Sequence, residues 1–311
     1  MYFFIINEQA GNGAGGRVWG QIEPILQARG VPYRYAITSS AAQAQQSVRN
    51  AITEHPPTLV AVLGGDGTIH SIVPLLSASG IPLAVIPAGS GNDTARGFGI
   101  PRKPLAALDV ALSGRMRSID LIGTASGERT LTALAVGFDA EVANAVNASG
   151  YKAWCNRLGI GRLAYIIGVL QTLFRYQPAR LELILDDGTA QTFDQAWLVA
   201  VTNTTSYGGG LRICPEARTD DGVLDVCVVH RCTKWQLLRL FPTILFGRHT
   251  KLPFVTMLRA SKIEIQSELQ RIGFGDGEQV AVTPLTAEIQ PGALQLMTAH
   301  GQHASYALIS I

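Results

Sequence analysis

The chain has 311 residues, 47% of them hydrophobic and 15% charged, with a formal net charge of +2. That length and composition suit more than one packed core and exclude an intrinsically disordered chain, and a balance so near neutral gives no reason to expect nucleic-acid binding. The four cysteines (Cys155, Cys214, Cys227, Cys232) form no CxxC pair, so they read as buried reduced thiols rather than a disulfide framework or a zinc site.

In chain order, Tyr2–Ile6 reads as a strand, Val18–Ala28 and Ala41–Ile52 as helices, Thr58–Leu63 as a strand, Thr68–Ser77 as a helix and Leu83–Ile86 as a strand. Strand, turn and helix repeated predict an α/β domain over residues 1–122, a mostly parallel sheet in a three-layer arrangement. Past Ser118 the pattern changes to apolar runs at Leu131–Val136, Leu181–Leu185, Trp197–Thr202, Val223–His230 and Lys262–Gln266. Turn signals at 186–188 and 220–222 separate them. This predicts an antiparallel β-sandwich over residues 123–292, interrupted by helical inserts at Ala153–Tyr176 and Thr233–Gly247. The closing segments, Ala293–Met297 and Tyr306–Ile311, are apolar and could return to the first domain. The N-terminus has no basic region ahead of its short apolar run, and no stretch of about 18 apolar residues exists, so a cytoplasmic protein is expected.

Ligands of parallel sheets bind beyond the carboxyl ends of the strands. The turns Asn7–Gly16, Gly64–Thr68 and Ala88–Asn92 are therefore expected to converge on one edge. In Gly64-Gly65-Asp66-Gly67-Thr68, glycines let backbone N–H groups approach phosphate oxygens, and the helix start adds partial positive charge. Asp66 would repel phosphate unless it meets a metal ion or a hydroxyl proton, which suits Mg²⁺–ATP chemistry; the competing reading is a helix cap. In the third turn Ser90 and Asn92 offer hydrogen bonds to phosphate or ribose, and Asp93 reads as a cap for the helix carrying Arg96. Asn7–Gly16 is neither a Walker A motif nor a convincing dinucleotide fingerprint.

These motifs together resemble the diacylglycerol kinase catalytic family, which includes sphingosine kinases and bacterial lipid kinases. The resemblance covers nearly the whole chain and runs through Asn7–Gly11, Gly64–Thr68, Pro87–Arg96, Gly137–Ala140, Gly208–Gly210, Pro215–Ala217, Asp221–Asp225 and Asp276–Glu278. It departs at Glu8, where the family has proline, at Ser90 for threonine and at Thr94 for an apolar residue. By the resemblance, Asn7, Glu8, Gln9, Ala10, Gly11, Thr38, the run Gly64, Gly65, Asp66, Gly67, Thr68, Ile69, His70 and Ser71, and Ser90 with Asn92 would form the ATP site. The main chain of Arg218 and Val223 with the Asp221 side chain would hold a structural Mg²⁺, Glu278 would accept the proton of a lipid hydroxyl, and Asp120 resembles a further catalytic acid. Alternative readings are a soluble-substrate kinase related to NAD kinase and a non-catalytic nucleotide- or lipid-binding regulator.

From Val226 to Ile263 there is no acidic residue, while Arg231, Lys234, Arg239, Arg248, Lys251, Arg259 and Lys262 alternate with Trp235, Leu237, Leu238, Leu240, Phe241, Leu245 and Phe246. That composition suits peripheral contact with an anionic bilayer, at the inner face of the membrane; it also suits an amphipathic helix with a solvated basic face. Leu163, Ile166, Ile167, Leu170, Leu173 and Phe174 follow helical spacing and read mainly as core, with a lipid entrance as the second reading. An exposed edge strand could support a homodimer.

Overall fold

The computed structural model describes residues 1–149, 161–186 and 188–300, with only the backbone of residues 161–166. The expectations for Cys155, for the 153–160 part of the first insert and for Tyr306–Ile311 lie outside the described residues.

The N-terminal half runs β1 (Tyr2–Asn7), α1 (Ala10–Ala28), β2 (Tyr33–Thr38), α2 (Ala41–Glu54), β3 (Leu59–Gly64), α3 (Asp66–Ser79), β4 (Leu83–Pro87), α4 (Asp93–Gly97), α5 (Pro104–Ser113) and β5 (Arg115–Thr124). Strands β2, β1, β3 and β4 pair in that order, all parallel. Parallel strands covered on both faces read as unbroken apolar runs, and every residue of β3 and β4 is buried. The core lies between this sheet and the helices, around Phe4, Ile22, Val48, Ile72, Leu76 and Leu108.

The second half runs β6 (Arg129–Thr130), β7 (Ala133–Gly137), α6 (Phe138–Ala148), α7 (Gly161–Arg175), β8 (Ala179–Leu185), β9 (Ala190–Thr202), β10 (Leu224–His230), α8 (Lys234–Leu245), a 3-10 turn (Arg248–Lys251), β11 (Val255–Ala260), β12 (Lys262–Ser267), β13 (Ile272–Gly275), β14 (Glu278–Val282) and β15 (Leu285–Thr298). Strands β7, β9, β10, β8 and β12 pair antiparallel. From Ala196 to Thr202 strand β9 is buried on both faces. Val199 and Val201 join a core with Leu134, Leu183 and Ile263 between the strand layers, whereas Trp197 and Ala200 join one with Phe138, Leu173 and Leu237 beneath the helices. Strand β15 links the halves, pairing antiparallel with β12 and β5 and parallel with β4 at Leu296–Leu83. The ordered path of the sheet ends at β2 on one side and at β14 on the other.

The expected elements are present, some longer than read (α1, β9) and some shorter (β7, β10, α8), and β2, α5, β5, β6, α6, β11, β13 and β14 add to them. One expectation fails in α7: Leu173 is buried, but Leu170 and Phe174 are exposed rather than core.

Candidate active site

Three turns follow the carboxyl ends of β1, β3 and β4. In the first, helix α1 is broken near its start, because Gly11, Asn12 and Gly13 all have positive φ (56°, 56° and 81°). Consecutive left-handed residues turn successive N–H groups into a concavity that suits an anion. The exposed Arg17 closes its side, donating from Nη1 to the Asn12 carbonyl at 3.1 Å. A basic residue one helical turn beyond a glycine-rich bend was the sequence signal for this charge.

Close contacts bring the three turns together. A Cβ on Gly11 would stand 2.2 Å from the Ala88 carbonyl oxygen, and one on Gly89 would stand 2.5 Å from the Gly65 Cα. Neither position admits a side chain, so the glycines are there for backbone-to-backbone approach. Asn7 Nδ2 donates to Thr68 Oγ1 at 2.8 Å, tying the first turn to the second. Asn7 Oδ1 also accepts the Gln9 amide, and the Glu8 amide donates to the Thr38 carbonyl. Thr38 is buried with its hydroxyl donating to the Ile6 carbonyl, and Ser71 donates to the Thr68 carbonyl. Ile69 is a core residue. Asn92 accepts from and donates to the Gly89 backbone, so its amide shapes the third turn and Ser90, exposed, is the side chain presented there.

Capping differs from the sequence expectation. Asp66 is the first residue of α3 and does not cap that helix; nor does Asp93 cap α4. The Asp66 carboxylate instead reaches across to α4, accepting the amides of Asp93 at 3.1 Å and Thr94 at 3.0 Å. Asp93 is the first residue of α4, ion-pairs with Arg96 and accepts the Gly209 amide at 3.0 Å, joining the third turn to the Gly208–Gly210 loop. Burial raises the Asp93 pKa; the Gly209 amide opposes the rise, Asp66 adds to it and Arg96 opposes it.

The 276–278 segment is a hairpin turn and more. Asp276 and Gly277 both have positive φ (51° and 89°) between β13 and β14, as a two-residue hairpin loop requires. The Asp276 side chain points inward. Its Oδ2 accepts the Leu131 amide at 2.7 Å and lies 3.3 Å from His70 Nδ1, and its Oδ1 accepts the Thr132 amide at 2.8 Å and the Thr132 hydroxyl. Burial pushes the Asp276 pKa up, but the His70 partner and the Leu131 and Thr132 donors outweigh it and hold the carboxyl below its usual value. Burial pulls His70 down, but Asp276, with Glu128 and Glu278, leaves it raised. The Asp276–His70 pair fixes the hairpin on helix α3, directly after the Gly64–Thr68 turn. Glu278, exposed, is thereby set at that turn: a Cβ on Gly67 would stand 3.2 Å from Glu278 Oε1.

Asp120 lies within β5, and its side chain is engaged elsewhere. Its carboxylate accepts the amides of Gly222 and Gly292, each at 2.8 Å, and its amide donates to the Thr219 carbonyl. It therefore supports the 218–223 turn, where Arg218, Asp221 and Val223 sit. Asp221 accepts the Val223 amide at 3.2 Å and Arg259 Nη2 at 2.5 Å. Arg259 Nε is also 3.3 Å from Asp225 Oδ1, while Asp225 Oδ2 is buried with no hydrogen-bond partner. Carboxylate and backbone-carbonyl oxygens suit a hard cation, and the orphaned Asp225 oxygen leaves acceptor capacity beside them. No cluster of three acidic, His or Cys side chains with metal-ligand spacing exists among the described residues.

Comparison with known proteins agrees with this architecture. Residues 1–124 match the diacylglycerol kinase catalytic domain, and residues 132–298 match the YegS C-terminal NAD kinase beta sandwich-like domain. A diacylglycerol kinase of Mycobacterium tuberculosis (strain ATCC 25618 / H37Rv) is 34% identical over 299 residues, 94% of this chain and 93% of that protein. The chain belongs to the diacylglycerol kinase family. It is thus a lipid kinase by family, a phosphotransferase acting on an alcohol group. A diacylglycerol kinase of Bacillus subtilis (strain 168) is 29% identical, covering 79% of each chain. The crystal structure of a diacylglycerol kinase from Bacillus anthracis str. Sterne shares the fold, with a TM-score of 0.74 at 20% identity over 96% of this chain and 97% of that one. Among the described residues no helix of this family member is long and apolar enough to cross a membrane.

Proposed function

We propose that the chain transfers the γ-phosphoryl group of ATP, with Mg²⁺, to the hydroxyl of a membrane lipid, diacylglycerol being the foremost acceptor. The observation that carries this is the approach of Glu278 Oε1 to Gly67, which sets an exposed carboxylate against the glycine turn best suited to phosphate. Phosphoryl transfer depends on positioning and on charge neutralisation more than on covalent help.

In this reading the backbone N–H groups of the three turns hold the phosphates, assisted by the side chains of Asn7, Thr68 and Ser90 and by the charge of Arg17. Asp66 holds the third turn to the second. Glu278 accepts the acceptor's hydroxyl proton; its basicity is far below an alkoxide's, so it acts from hydrogen-bond distance as the proton leaves. Magnesium, when bound, would supply neutralising charge, and Asp221 with the main chain of Arg218 and Val223 would hold a structural ion. Asp120 is a positioning residue for that turn. A bilayer contacted peripherally presents the acceptor.

The test is transfer of radiolabelled phosphate from ATP into a bacterial lipid extract and into purified diacylglycerol. Wild type labels a lipid product, and Glu278→Gln lowers turnover roughly 10²–10⁴-fold, the usual contribution of a positioned acid or base. Absence of any labelled lipid with the wild type, or an unaltered rate for the variant, would overturn the reading.

A further inference from the structure

The bilayer-facing surface can be located. Helix α8 buries Leu237, Leu240 and Ile244. Its opposite stripe, at spacings of four, three and four, carries Trp235, Arg239, Pro242 and Phe246, all exposed. Trp235 is 72% exposed and Phe246 70%, with Leu245 beside them at 53%. A helix on a globular core normally turns charged and polar side chains outward; this one turns apolar residues and an arginine outward. The patch continues onto the end of α7. Lys234 Nζ donates to the Phe174 carbonyl at 3.0 Å and lies 5.7 Å from the Phe174 ring centre. Phe174 is 69% exposed and Leu170 44%. One continuous surface therefore carries the apolar side chains of Leu170, Phe174, Trp235, Leu245 and Phe246.

Within the segment that forms α8 and the turn after it, the charge has one sign. Arg175, Arg239, Arg248 and Lys251 are exposed, and no carboxylate occurs from Val226 to Ile263. Protruding aromatic and aliphatic side chains among cations match the interface of an anionic bilayer, where rings sit at headgroup depth and basic residues meet lipid phosphates. The surface belongs to the helix layer that borders the Glu278 hairpin. Helix α6 reaches that hairpin through Asn147, whose Nδ2 donates to the Gly277 carbonyl at 3.2 Å, and its Phe138 packs on Tyr176 just past α7 with ring centres 5.6 Å apart.

We propose that the exposed face of α8, with the end of α7, is the docking surface of this chain on anionic membranes. The assignment rests on the lipid-kinase reading for its purpose, since the acceptor must come from a bilayer, but its test does not need turnover. Full-length protein is co-sedimented with vesicles of phosphatidylcholine alone or mixed with phosphatidylglycerol. Wild type binds the mixed vesicles, and the Trp235→Ala/Phe246→Ala double variant binds them roughly tenfold or more weakly. A control double variant on the exposed edge of β2, Tyr35→Ala/Ile37→Ala, binds like wild type. In parallel, phosphorylation of diacylglycerol dispersed in detergent micelles is unchanged in the α8 variant. Unaltered vesicle binding by the α8 variant, equal losses in the control, or equal binding to neutral vesicles would overturn the assignment. So would a wild type that avoids vesicles and instead forms a dimer that the α8 variant dissociates. If neither wild type nor variant phosphorylates lipid in micelles, yet the binding difference holds, the activity reading fails while the docking surface stands.

Discussion

Replacing Asp276 by Asn tests whether the buried carboxylate locks the Glu278 hairpin onto helix α3. The carboxylate, 4% exposed, serves the Leu131 amide, the Thr132 amide and hydroxyl, and His70. Asparagine keeps one acceptor oxygen and turns an NH₂ toward an amide that needs an acceptor. One buried N–H is left unmatched, at about 1–3 kcal/mol, and the partner of His70 is lost. Breaking a buried pair from one side costs about 3–5 kcal/mol in total, or roughly 10 °C in Tm for a chain of this size. The pH dependence has a defined sign. Asp276 is depressed, so its contribution is present above the unfolded value of 3.8 and is lost as pH falls through its lower folded pKa. His70 is raised, so its contribution is present below the unfolded value of 6.5 and is lost as pH rises through its higher folded pKa. The gap between wild type and variant is therefore widest from about pH 4 to about pH 6.5 and narrows on either side. Urea unfolding and calorimetry across that range measure it. A Tm within about 2 °C of wild type at pH 6, or a gap constant from pH 5 to pH 9, would refute the lock.

Two further outcomes follow from charged groups near the site. Burial raises Asp139 to about 6 against the hydrogen bonds from Tyr207 and the Ala140 amide. A raised carboxyl favours the fold below 3.8 and loses that contribution as pH rises through about 6, so Asp139→Asn gains on wild type from about pH 4 to about pH 6.5, by at most about 3 kcal/mol in urea unfolding, and the gap is flat above; a gap that does not grow over that interval contradicts this. Arg259 bridges Asp221 and Asp225 from an exposed position, so Arg259→Ala loses about 1 kcal/mol without added metal. The variant then gains more thermal stability from Mg²⁺ than wild type does; equal Mg²⁺ shifts in the two proteins would exclude the 219–225 turn as the cation's site.

Buried strands were the most legible part of the sequence. β3 and β4 announce themselves as unbroken apolar runs because both faces are covered. β2 escaped because it is an edge strand, half-exposed along Tyr33–Ile37, with neither alternation nor a continuous run. β13 and β14 are only four and five residues long, and Gly273 and Gly275 dilute their pattern. At the site, glycine spacing and strand order together predicted the gathering of three turns on one edge. The partner choices of the acids could not be read there, because they join residues far apart in sequence: Asp66 with Thr94, Asp93 with Gly209, Asp276 with Thr132. Asp276 looked like a hairpin residue and is one, but the side chain's inward course depends on where Leu131 and Thr132 fall in space. Apolar spacing in α7 marked a helix without saying how much of it is covered, hence the misplacement of Leu170 and Phe174.

Among the described strands β15 is made last, yet β4 and β5 need it as a neighbour. A nascent chain that has emerged only as far as Thr124 carries a parallel sheet whose β4 side is still unpaired, and such an edge is an open template for wrong partners. The N-terminal half should therefore be a poor candidate for expression by itself, and full-length synthesis should draw on chaperones until β15 seats beside Leu83.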